Sequence, residues 1–325
     1  MCGMHTRTFG RLGWPVSEVG YGLWGMGGWT GSDDAESVQA LHRAIDLGCT
    51  FFDTALAYGD GKSEQLLAQV LPAHRDLPLI VATKVPPKNG KWPAKPEYDI
   101  ADVFPPEYVV EATETSLRNL GVERIDLQQF HVWTDEWAER EDWIRAIEDL
   151  KRSGKVRGFG ISINRWDPTN IVEALRTGLV DSVQVVHNIF DQHPEDALFP
   201  MCQEMNVAII ARVPLDEGSL TGTLTKDTRW PDGDFRNQYF PPARLAEAVD
   251  RVDALKALVP SGMTLPEMAL RFVLSHPAVS TVIPGMRRIP HVESNMAAGD
   301  GLGLPADLLA RLRAHRWDRG YVVEK

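Results

Sequence analysis

Four side chains suited to acid–base chemistry follow or end three successive apolar runs in the first half of the chain: Asp53, Tyr58, Lys84 and His131. A phenol titrates at about pH 10, so Tyr58 needs a neighbouring cation to give up a proton at neutral pH. Lys84 is a candidate for that cation, and Asp53 is a candidate to hold its ammonium. The His131 imidazole can hydrogen-bond a carbonyl oxygen and fix its orientation. Together these residue types predict that Tyr58 protonates a carbonyl oxygen while a hydride reaches the carbonyl carbon.

The elements that carry these residues decide whether the side chains can meet. Each of the four residue types, taken alone, is more often structural than catalytic in such a position. The apolar runs are short and rich in β-branched residues, which is typical of buried parallel strands. When adjacent parallel strands line a barrel, the functional side chains converge at the C-terminal strand ends. The ordered set therefore predicts an active site at one end of a barrel.

Eight such strand segments alternate with amphipathic segments that have helix start and stop residues. Strands are predicted at Glu18–Tyr21, Thr50–Asp53, Leu79–Lys84, Ile125–His131, Val156–Ser162, Ser182–Val186, Val207–Val213 and Ser280–Ile283. Helices are predicted at Ala35–Leu47, Glu107–Leu120, Trp137–Ser153, Thr169–Thr177, Asp191–Met205, Ala243–Leu258 and Pro266–Leu274. The alternation predicts an α/β fold, a single (β/α)8 barrel domain of residues 1–325 that begins with a β-hairpin at residues 6–16.

Three long connections, at residues 85–105, 214–242 and 299–325, interrupt this alternation. Long loops in a compact domain are commonly functional, and two of these follow the third and seventh strands on the face of the four candidate residues. A doubly wound open sheet is the alternative fold. The run from Gly22 to Gly28 argues against it, because it lacks the spacing of a dinucleotide-binding Gly-x-Gly-x-x-Gly turn and leads to no immediate helix.

Composition excludes several classes of function. The 325 residues carry a formal net charge of −11, which argues against nucleic-acid binding because phosphate recognition needs a basic surface. No run approaches the roughly 18–20 apolar residues of a membrane span, and the N-terminal residues lack the apolar run of a signal peptide. The three cysteines are scattered without metal-ligand spacing, so no metal site is predicted and a reducing cytoplasm is favoured. The oligomeric state is left open.

The order Asp53, Tyr58, Lys84, His131, with the motif Phe-Asp-Thr-Ala-x-x-Tyr-Gly intact at residues 52–59, resembles the aldo-keto reductase superfamily. The resemblance covers essentially the whole chain, from the hairpin to the segment at residues 315–319. It implies a (β/α)8 barrel that binds a nicotinamide cofactor, usually NADPH, without a Rossmann domain. It also implies a small carbonyl or sugar compound as the substrate.

The resemblance assigns nicotinamide contacts to the ends of the fifth and sixth strands. Residues 158–164 resemble the family's Gly-x-Ser-Asn segment, in which the Ser and Asn bind the nicotinamide carboxamide. An isoleucine intrudes here, so Ser162 matches and Asn164 is displaced by one position. Gln184 matches the sixth-strand glutamine that also contacts the carboxamide, and a buried strand seldom carries an amide without a polar partner.

On the seventh strand this chain departs from the family pattern. Arg212 stands where many members have an aromatic residue that stacks on the nicotinamide face. Its planar guanidinium can stack on that ring instead, or form an ion pair with Asp216 or Glu217. Both readings stay open at this point.

Further contacts follow from two loops that resemble the family's phosphate-binding segments. Residues 214–222 resemble the loop that crosses the pyrophosphate, and residues 283–295 resemble the adenosine-phosphate site. Paired arginines at a helix N-terminus suit a 2′-phosphate, which favours NADPH over NADH, although exposed arginines are often merely solvated. Cofactor contacts are thereby implied for Gly22, Leu23, Trp24, Pro214, Leu215, Gly218, Ser219, Leu220, Gly285, Arg287, Arg288 and Asn295.

Three tryptophans lie in loops on the predicted active face. Trp24, Trp92 and Trp133 follow the first, third and fourth strands. With Tyr58 and His131 they are predicted to wall an aromatic substrate pocket, and core packing is the alternative for each tryptophan. Aromatic walls favour planar aldehydes, quinones or sugar rings.

The sequence thus predicts NADPH-dependent reduction of aldehydes or ketones to alcohols, with Tyr58 as the proton donor. One alternative is a sugar or aldose dehydrogenase that runs the oxidation on the same four residues. Another, from a different class, is an NADPH-binding redox sensor or a channel-associated β subunit. The intact catalytic set disfavours that last alternative.

Overall fold

The computed structural model describes residues 3–29, 31–164 and 167–319. An antiparallel hairpin, β1 (Thr6–Phe9) and β2 (Trp14–Ser17), precedes an eight-stranded parallel sheet. The sheet strands are β3 (Tyr21–Gly22), β4 (Phe51–Asp53), β5 (Ile80–Val85), β6 (Ile125–Phe130), β7 (Val156–Ser162), β8 (Ser182–Val186), β9 (Ala208–Arg212) and β10 (Val279–Val282). Each strand pairs with the next one along the chain.

The first and last strands of the sheet also meet, which bends the sheet into a barrel. The Gly20 amide donates to the Val282 carbonyl at 2.8 Å, and the Gly22 amide donates to the Pro284 carbonyl at 3.0 Å. A side chain at Gly22 would obstruct this contact, because an added Cβ would lie 2.7 Å from the Ile283 carbonyl oxygen. The predicted (β/α)8 barrel with its N-terminal hairpin is confirmed.

The strand register places the polar strand ends at a common level. Lys84 near the end of β5 pairs with Gln129 on β6, and Ser162 at the end of β7 pairs with Gln184 on β8. Because the strands are parallel, all of these residues approach the same end of the barrel.

The helices lie between and after the strands, and their bounds follow the predicted amphipathic segments closely in most cases. They are α1 (Asp34–Asp46), α2 (Lys62–Ala68), α3 (Ile100–Val103), α4 (Pro106–Leu120), α5 (Glu141–Arg152), α6 (Val172–Arg176), α7 (Leu198–Glu204), α8 (Arg236–Tyr239), α9 (Pro242–Lys256), α10 (Leu265–Leu274), α11 (Ile289–Met296) and α12 (Ala306–Arg313). Within the described ranges, none of them is both long and apolar enough to cross a membrane.

Several helical segments differ from the prediction, among them α3 and α8, which lie inside two of the predicted long connections. Helix α2 was not predicted, because it is short and begins at Gly61, which has a φ of +87° and no side chain to cap the helix. The single helix predicted over 191–205 is wrong: a 3₁₀ turn at His193–Glu195 precedes the shorter α7. Pro200 has no N–H and fits only the first turn, so α7 starts two residues before it. Helix α12 occupies part of the 299–325 connection, of which residues 320–325 lie outside the described ranges.

The hairpin closes the N-terminal end of the barrel. Phe9 and Val16 are fully buried and pack with apolar side chains that point into the barrel from the strands, including Phe51, Leu127 and Ile210. This cluster fills the barrel below the polar strand ends, so chemistry is confined to the opposite end.

Candidate active site

The four predicted catalytic side chains meet at the C-terminal ends of β4, β5 and β6. Lys84 Nζ donates to Asp53 Oδ2 at 2.6 Å, to the Thr54 carbonyl at 2.8 Å and to the Tyr58 hydroxyl at 3.3 Å. The rings of Tyr58 and His131 lie edge to face with their centroids 5.5 Å apart. The Lys84 side chain is fully buried, whereas Tyr58 and His131 are partly exposed. The structure therefore places an ammonium behind a phenol that faces the outside.

A tight turn after β4 places the phenol. The Tyr58 amide donates to the Ala55 carbonyl at 3.0 Å, and Gly59 follows with a φ of +66°. Gly59 lies against the backbone of Gly27, and an added Cβ would be 2.5 Å from the Gly27 carbonyl oxygen. The glycine of the Tyr-Gly pair is thus required by close backbone contact as well as by its left-handed conformation.

Two glutamines complete the coordination of Asp53. Gln184 Nε2 donates to Asp53 Oδ1 at 2.7 Å, and Gln129 Nε2 donates to the same oxygen at 3.1 Å. The other carboxylate oxygen accepts the Lys84 ammonium, so both oxygens have donors although the side chain is buried. Buried charge is tolerated only with such partners.

The surroundings shift the pKa values of three of the four groups. Burial raises the pKa of Tyr58 above its ordinary value, and the Lys84 charge opposes that rise without cancelling it. The pKa of Lys84 is raised, because Asp53 and Tyr58 together outweigh the opposing effect of burial. Burial, together with the positive charges of Lys84 and Arg212, holds the pKa of His131 well below its ordinary value. At neutral pH the site thus contains a protonated phenol, an ammonium and a neutral imidazole.

The net pKa shift of Tyr58 is opposite to the one expected from the sequence. Lys84 does lower the pKa of the phenol, as expected, but the burial of Tyr58 has the larger effect. A sequence identifies the charged neighbour and does not reveal how much water the fold removes.

Aromatic side chains surround the open side of the site. The Trp92 ring stands perpendicular to the His131 ring with centroids 4.6 Å apart, and Trp92 is 49% exposed. Trp24 is 39% exposed and contacts Trp29 at 4.3 Å and Phe235 at 5.9 Å between centroids. Two of the three predicted wall tryptophans therefore lie at the surface on the active face.

The prediction that Trp133 walls the pocket is wrong. Trp133 has no exposed surface and packs edge to face against Trp137 and Trp143, with ring centroids 5.7 Å and 5.3 Å away. Trp143 belongs to α5, so the loop after β6 directs Trp133 toward the helix layer. Its indole N–H is 3.4 Å from Asp135 Oδ1, which gives the buried ring a polar partner.

The residues predicted to contact the nicotinamide lie at the mouth of the barrel and differ in how exposed they are to solvent. Ser162 is buried at the end of β7, and Asn164 is partly exposed just beyond it. Arg212 at the end of β9 is partly exposed, and its Nη2 donates to the Ile163 carbonyl at 3.1 Å. Gln184 donates its amide N–H to Asp53, a contact that the resemblance did not imply.

Several side chains of the predicted pyrophosphate and adenine contacts face the interior. Ser219 is buried, and its hydroxyl donates to Asp216 Oδ2 at 2.6 Å. Leu220, Leu23 and Asn295 are also buried. In the loop after β9, Pro214 is buried, whereas Leu215 and Gly218 are partly exposed.

Arginine side chains gather beside Gly285 at the start of α11. Gly285 is exposed with no atom near the position of an added Cβ, and Arg287 Nη1 is buried without a hydrogen-bond partner among the described residues. Burial and the charges of Arg288 and Arg236 lower the pKa of Arg287. The nearest carboxylate to Arg288 is 3.7 Å away, in the exposed side chain of Glu36. This cluster has an excess of positive charge that an anion would offset.

Comparison with known proteins decides the family. Residues 18–316 match the model of the aldo/keto reductase family. The chain belongs to this family. Aldo/keto reductases are NAD(P)H-dependent oxidoreductases that act on carbonyl groups.

Relatives of this aldo/keto reductase match it over nearly their whole length. Aldo-keto reductase YhdN of Bacillus subtilis is 29% identical over 302 residues, which cover 90% of this chain and 87% of the relative. The holo form of aldo-keto reductase AKR11C1 from Bacillus halodurans superposes with a TM-score of 0.78 at 29% identity and covers 98% and 99% of the two chains. An aldo-keto reductase from Klebsiella pneumoniae in complex with NADPH gives a TM-score of 0.71 at 26% identity, with 99% of both chains covered.

A nicotinamide dinucleotide fits the residues that this aldo/keto reductase presents. Arg287 Nη1, which has no hydrogen-bond partner among the described residues, and the flanking Arg288 suit a phosphate. Arg212 provides a planar cation beside the Tyr58–His131 pair.

Four residues of the site were missed by the sequence analysis: Gln129, Trp29, Phe235 and Arg236. Gln129 had a visible signal, since it is a polar residue inside an apolar strand two positions before His131. Trp29 and Phe235 come from loops and Arg236 begins the short helix α8, and the sequence does not specify the course of these segments. Arg236 is held by a bidentate contact to Asp234, with nitrogen–oxygen distances of 2.9 and 2.7 Å.

Proposed function

We propose that this aldo/keto reductase uses NADPH to reduce aldehydes or ketones to alcohols, with Tyr58 as the proton donor. The observation that carries the proposal is the contact of one buried ammonium, Lys84, with both Asp53 and the Tyr58 hydroxyl. A purely structural ion pair would not need a partly exposed phenol on its open side. His131 and Trp92 lie on that same side.

When bound, the cofactor would supply a hydride to the carbonyl carbon. Tyr58 would hydrogen-bond the carbonyl oxygen and pass its proton to it, leaving a phenolate. Lys84 would stabilise that phenolate, because its raised pKa keeps the ammonium charged and its Nζ already lies 3.3 Å from the phenol oxygen. Asp53 would hold Lys84 in place throughout.

His131 would orient the substrate as a neutral imidazole. A neutral ring has one N–H to donate to a carbonyl oxygen and adds no charge that would compete with the proton of Tyr58. Trp92, perpendicular to His131 and half exposed, would restrict the plane in which a substrate can lie. This arrangement favours flat carbonyl compounds.

NADPH is proposed over NADH because of the arginine cluster beside Gly285. Arg287, Arg288 and Arg236 concentrate positive charge around a guanidinium nitrogen that lacks a partner among the described residues. A 2′-phosphate would provide charge-assisted hydrogen bonds to such a cluster, whereas the ribose hydroxyl of NADH would not. The Klebsiella pneumoniae relative bound to NADPH supports this choice.

Arg212 is proposed to stack its guanidinium on the nicotinamide. Its charge lies close enough to oppose the rise that burial causes in the pKa of Tyr58 and to contribute to the lowered pKa of His131. A planar guanidinium can replace the aromatic ring that many members carry at this position. Unchanged cofactor affinity and turnover in Arg212→Ala would contradict this role.

The proposed partner is a small carbonyl compound or, in the reverse direction, an alcohol or sugar. We further propose a cytoplasmic location. The described cysteines Cys49 and Cys202 are buried free thiols, which suits a reducing compartment.

The test follows NADPH and NADH oxidation with aromatic and aliphatic aldehydes, quinones and ketones, and NADP⁺ reduction with sugars and alcohols. We expect carbonyl reduction with NADPH, and an increase of about tenfold to a hundredfold in KM for NADPH in Arg287→Ala. The matched control is Arg152→Ala on α5, where the arginine is exposed and pairs with Asp149. Turnover only with NADP⁺ and sugars would favour the dehydrogenase alternative. NADPH binding without turnover in either direction would contradict the reductase.

A further inference from the structure

A buried ion cluster joins two loops at the mouth of the barrel to the segment 316–319. Arg319 Nη2 donates to Asp191 Oδ2 at 2.7 Å and to Asp216 Oδ1 at 2.7 Å, and its Nη1 donates to Asp216 Oδ2 at 3.1 Å. The three side chains are 6%, 8% and 0% exposed. One guanidinium therefore bridges the loop after β8 and the loop after β9.

Aromatic rings shield this guanidinium from water. Its central carbon lies 4.4 Å from the ring centroid of Trp317, 5.7 Å from Phe190 and 5.9 Å from Tyr239. The Trp317 amide also donates to the Phe190 carbonyl at 2.9 Å, which fixes the segment against the loop after β8. Shielding strengthens the ionic contacts, because the local dielectric is low.

The loop after β9 has a backbone that needs such support. Val213, Asp216 and Glu217 have φ values of +56°, +47° and +52°, in the left-handed region that side chains other than glycine disfavour. A β-branched valine there is a pronounced outlier. Conformations of this kind persist only when the surrounding contacts determine them.

Asp216 is the point at which those contacts converge. Its carboxylate accepts hydrogen bonds from Ser219 at 2.6 Å, from Tyr239 at 2.8 Å and from both terminal nitrogens of Arg319. Asn188, bonded to Asp191, also donates to the Val213 carbonyl at 3.0 Å. Both ends of the left-handed stretch are thus fastened to the cluster around Arg319.

We propose that Arg319 is a positioning residue for the cofactor: it acts through Asp216 to hold residues 213–220 in the shape that contacts the pyrophosphate, and so it slows cofactor release. The inference rests on the proposed use of NADPH. The family match ends at residue 316, so Arg319 lies outside the part of the chain that the family model describes. Residues of the catalytic quartet do not contact it, and the chemical step does not depend on it.

The experiment measures NADPH dissociation by stopped-flow protein fluorescence in the full-length wild type, Arg319→Met and Arg319→Lys. The matched control is Arg316→Met, because Arg316 lies in the same segment and pairs with Asp196 and Asp318 at the surface. We expect Arg319→Met to release NADPH about tenfold faster, since the competent loop shape would fall to roughly a tenth of the population. Arg319→Lys keeps the positive charge but lacks the paired N–H donors of the guanidinium, so its rate of NADPH release should lie between those of the wild type and Arg319→Met. Arg316→Met should release NADPH at the wild-type rate.

Single-turnover hydride transfer at saturating NADPH separates positioning from general damage, and we expect Arg319→Met to retain the wild-type rate. A lowered Tm with an unchanged dissociation rate would overturn the proposal, as would an equal acceleration in Arg316→Met. If Arg319→Met does not fold, Tyr239→Phe removes one donor to Asp216, and it should still accelerate release; an unchanged rate would overturn the proposal. If the wild type binds no NADPH, both the proposed function and this inference are overturned. If the wild type binds NADPH and Arg319→Met releases it at the same rate, only this inference is overturned.

Discussion

Two buried aspartates at the same end of the barrel have similar surroundings, because each carboxylate pairs with a buried cation, but the two differ in the chemistry that they can support. Asp53 holds the Lys84 ammonium at 2.6 Å, and Asp216 holds the Arg319 guanidinium at 2.7 Å. Both carboxylates accept further hydrogen bonds from neutral donors. Only the first cation touches a group that can transfer a proton, the Tyr58 hydroxyl. In the proposed function, the same stabilising arrangement serves catalysis at Asp53 and loop geometry at Asp216.

The backbones around the two aspartates differ as well. Asp53 ends a regular strand, and its side-chain donors come from the barrel strands β5, β6 and β8. Asp216 lies in a left-handed stretch, and its cation is 103 residues away along the chain. Asp53 is thus fixed by the barrel itself, whereas the loop around Asp216 has only local backbone hydrogen bonds in the described part of the chain and depends on side chains from distant segments. We expect the loop to change shape more readily than the catalytic group.

The largest expected effect comes from removing each carboxylate in turn. Asp53→Ala should lower the free energy of unfolding by about 3–5 kcal/mol, because it leaves the buried Lys84 ammonium without a carboxylate. Asp216→Ala should lower it by less, because Asp191 still pairs with Arg319. Only Asp53→Ala should also abolish single-turnover hydride transfer, since Lys84 then loses its position beside Tyr58. Urea denaturation and stopped-flow absorbance measure the two effects. Equal losses of hydride transfer in both variants would remove the distinction.

Two tryptophans allow a similar comparison, because Trp133 lies in the core and Trp92 lies at the rim of the site. Trp133→Ala should cost about 3–5 kcal/mol of unfolding free energy, because a fully buried ring leaves a cavity. Trp92→Ala should change the unfolding free energy by less than about 0.5 kcal/mol and raise KM for the carbonyl substrate. Chemical denaturation and steady-state kinetics check both. A raised KM in Trp133→Ala without loss of stability would restore the pocket role that the sequence predicted.

A smaller effect is expected at the glutamines that support Asp53. Gln184→Leu should lower the free energy of unfolding by about 1–3 kcal/mol, because one oxygen of a buried carboxylate loses its shortest donor. The Kd for NADPH should stay near the wild-type value. A large increase in that Kd with unchanged stability would instead assign the amide to the nicotinamide, as the family resemblance implied.

The subtlest prediction concerns protonation. The pKa of His131 is held well below its ordinary value of 6.5, so the imidazole should stay neutral as the pH falls through that value. In the NMR spectrum of the free protein, the C2–H resonance of His131 should not shift between about pH 8 and about pH 6. A titration of His131 near its ordinary value would contradict the electrostatic account of the site.

The strand order and the convergence of Asp53, Tyr58, Lys84 and His131 were accessible from the sequence, because short apolar strands and the polar residues at their ends are visible in the local sequence. The motif around Asp53 and Tyr58 also specifies a turn that needs Gly59. By contrast, the contacts of Arg319 with the loops and the burial of Trp133 depend on segments far apart in the chain, and no local sequence pattern shows that such segments meet. The net pKa of Tyr58 was inaccessible for the same reason, since burial is a property of the assembled fold.

The central claim is that Tyr58 protonates the substrate while Lys84 and Asp53 support it. Single-turnover oxidation of bound NADPH by one aldehyde, in the wild type and in Tyr58→Phe, tests it directly. The account predicts that Tyr58→Phe binds NADPH as tightly as the wild type and transfers the hydride about 10²–10⁴-fold more slowly. Equal rates of hydride transfer in the two proteins would contradict it.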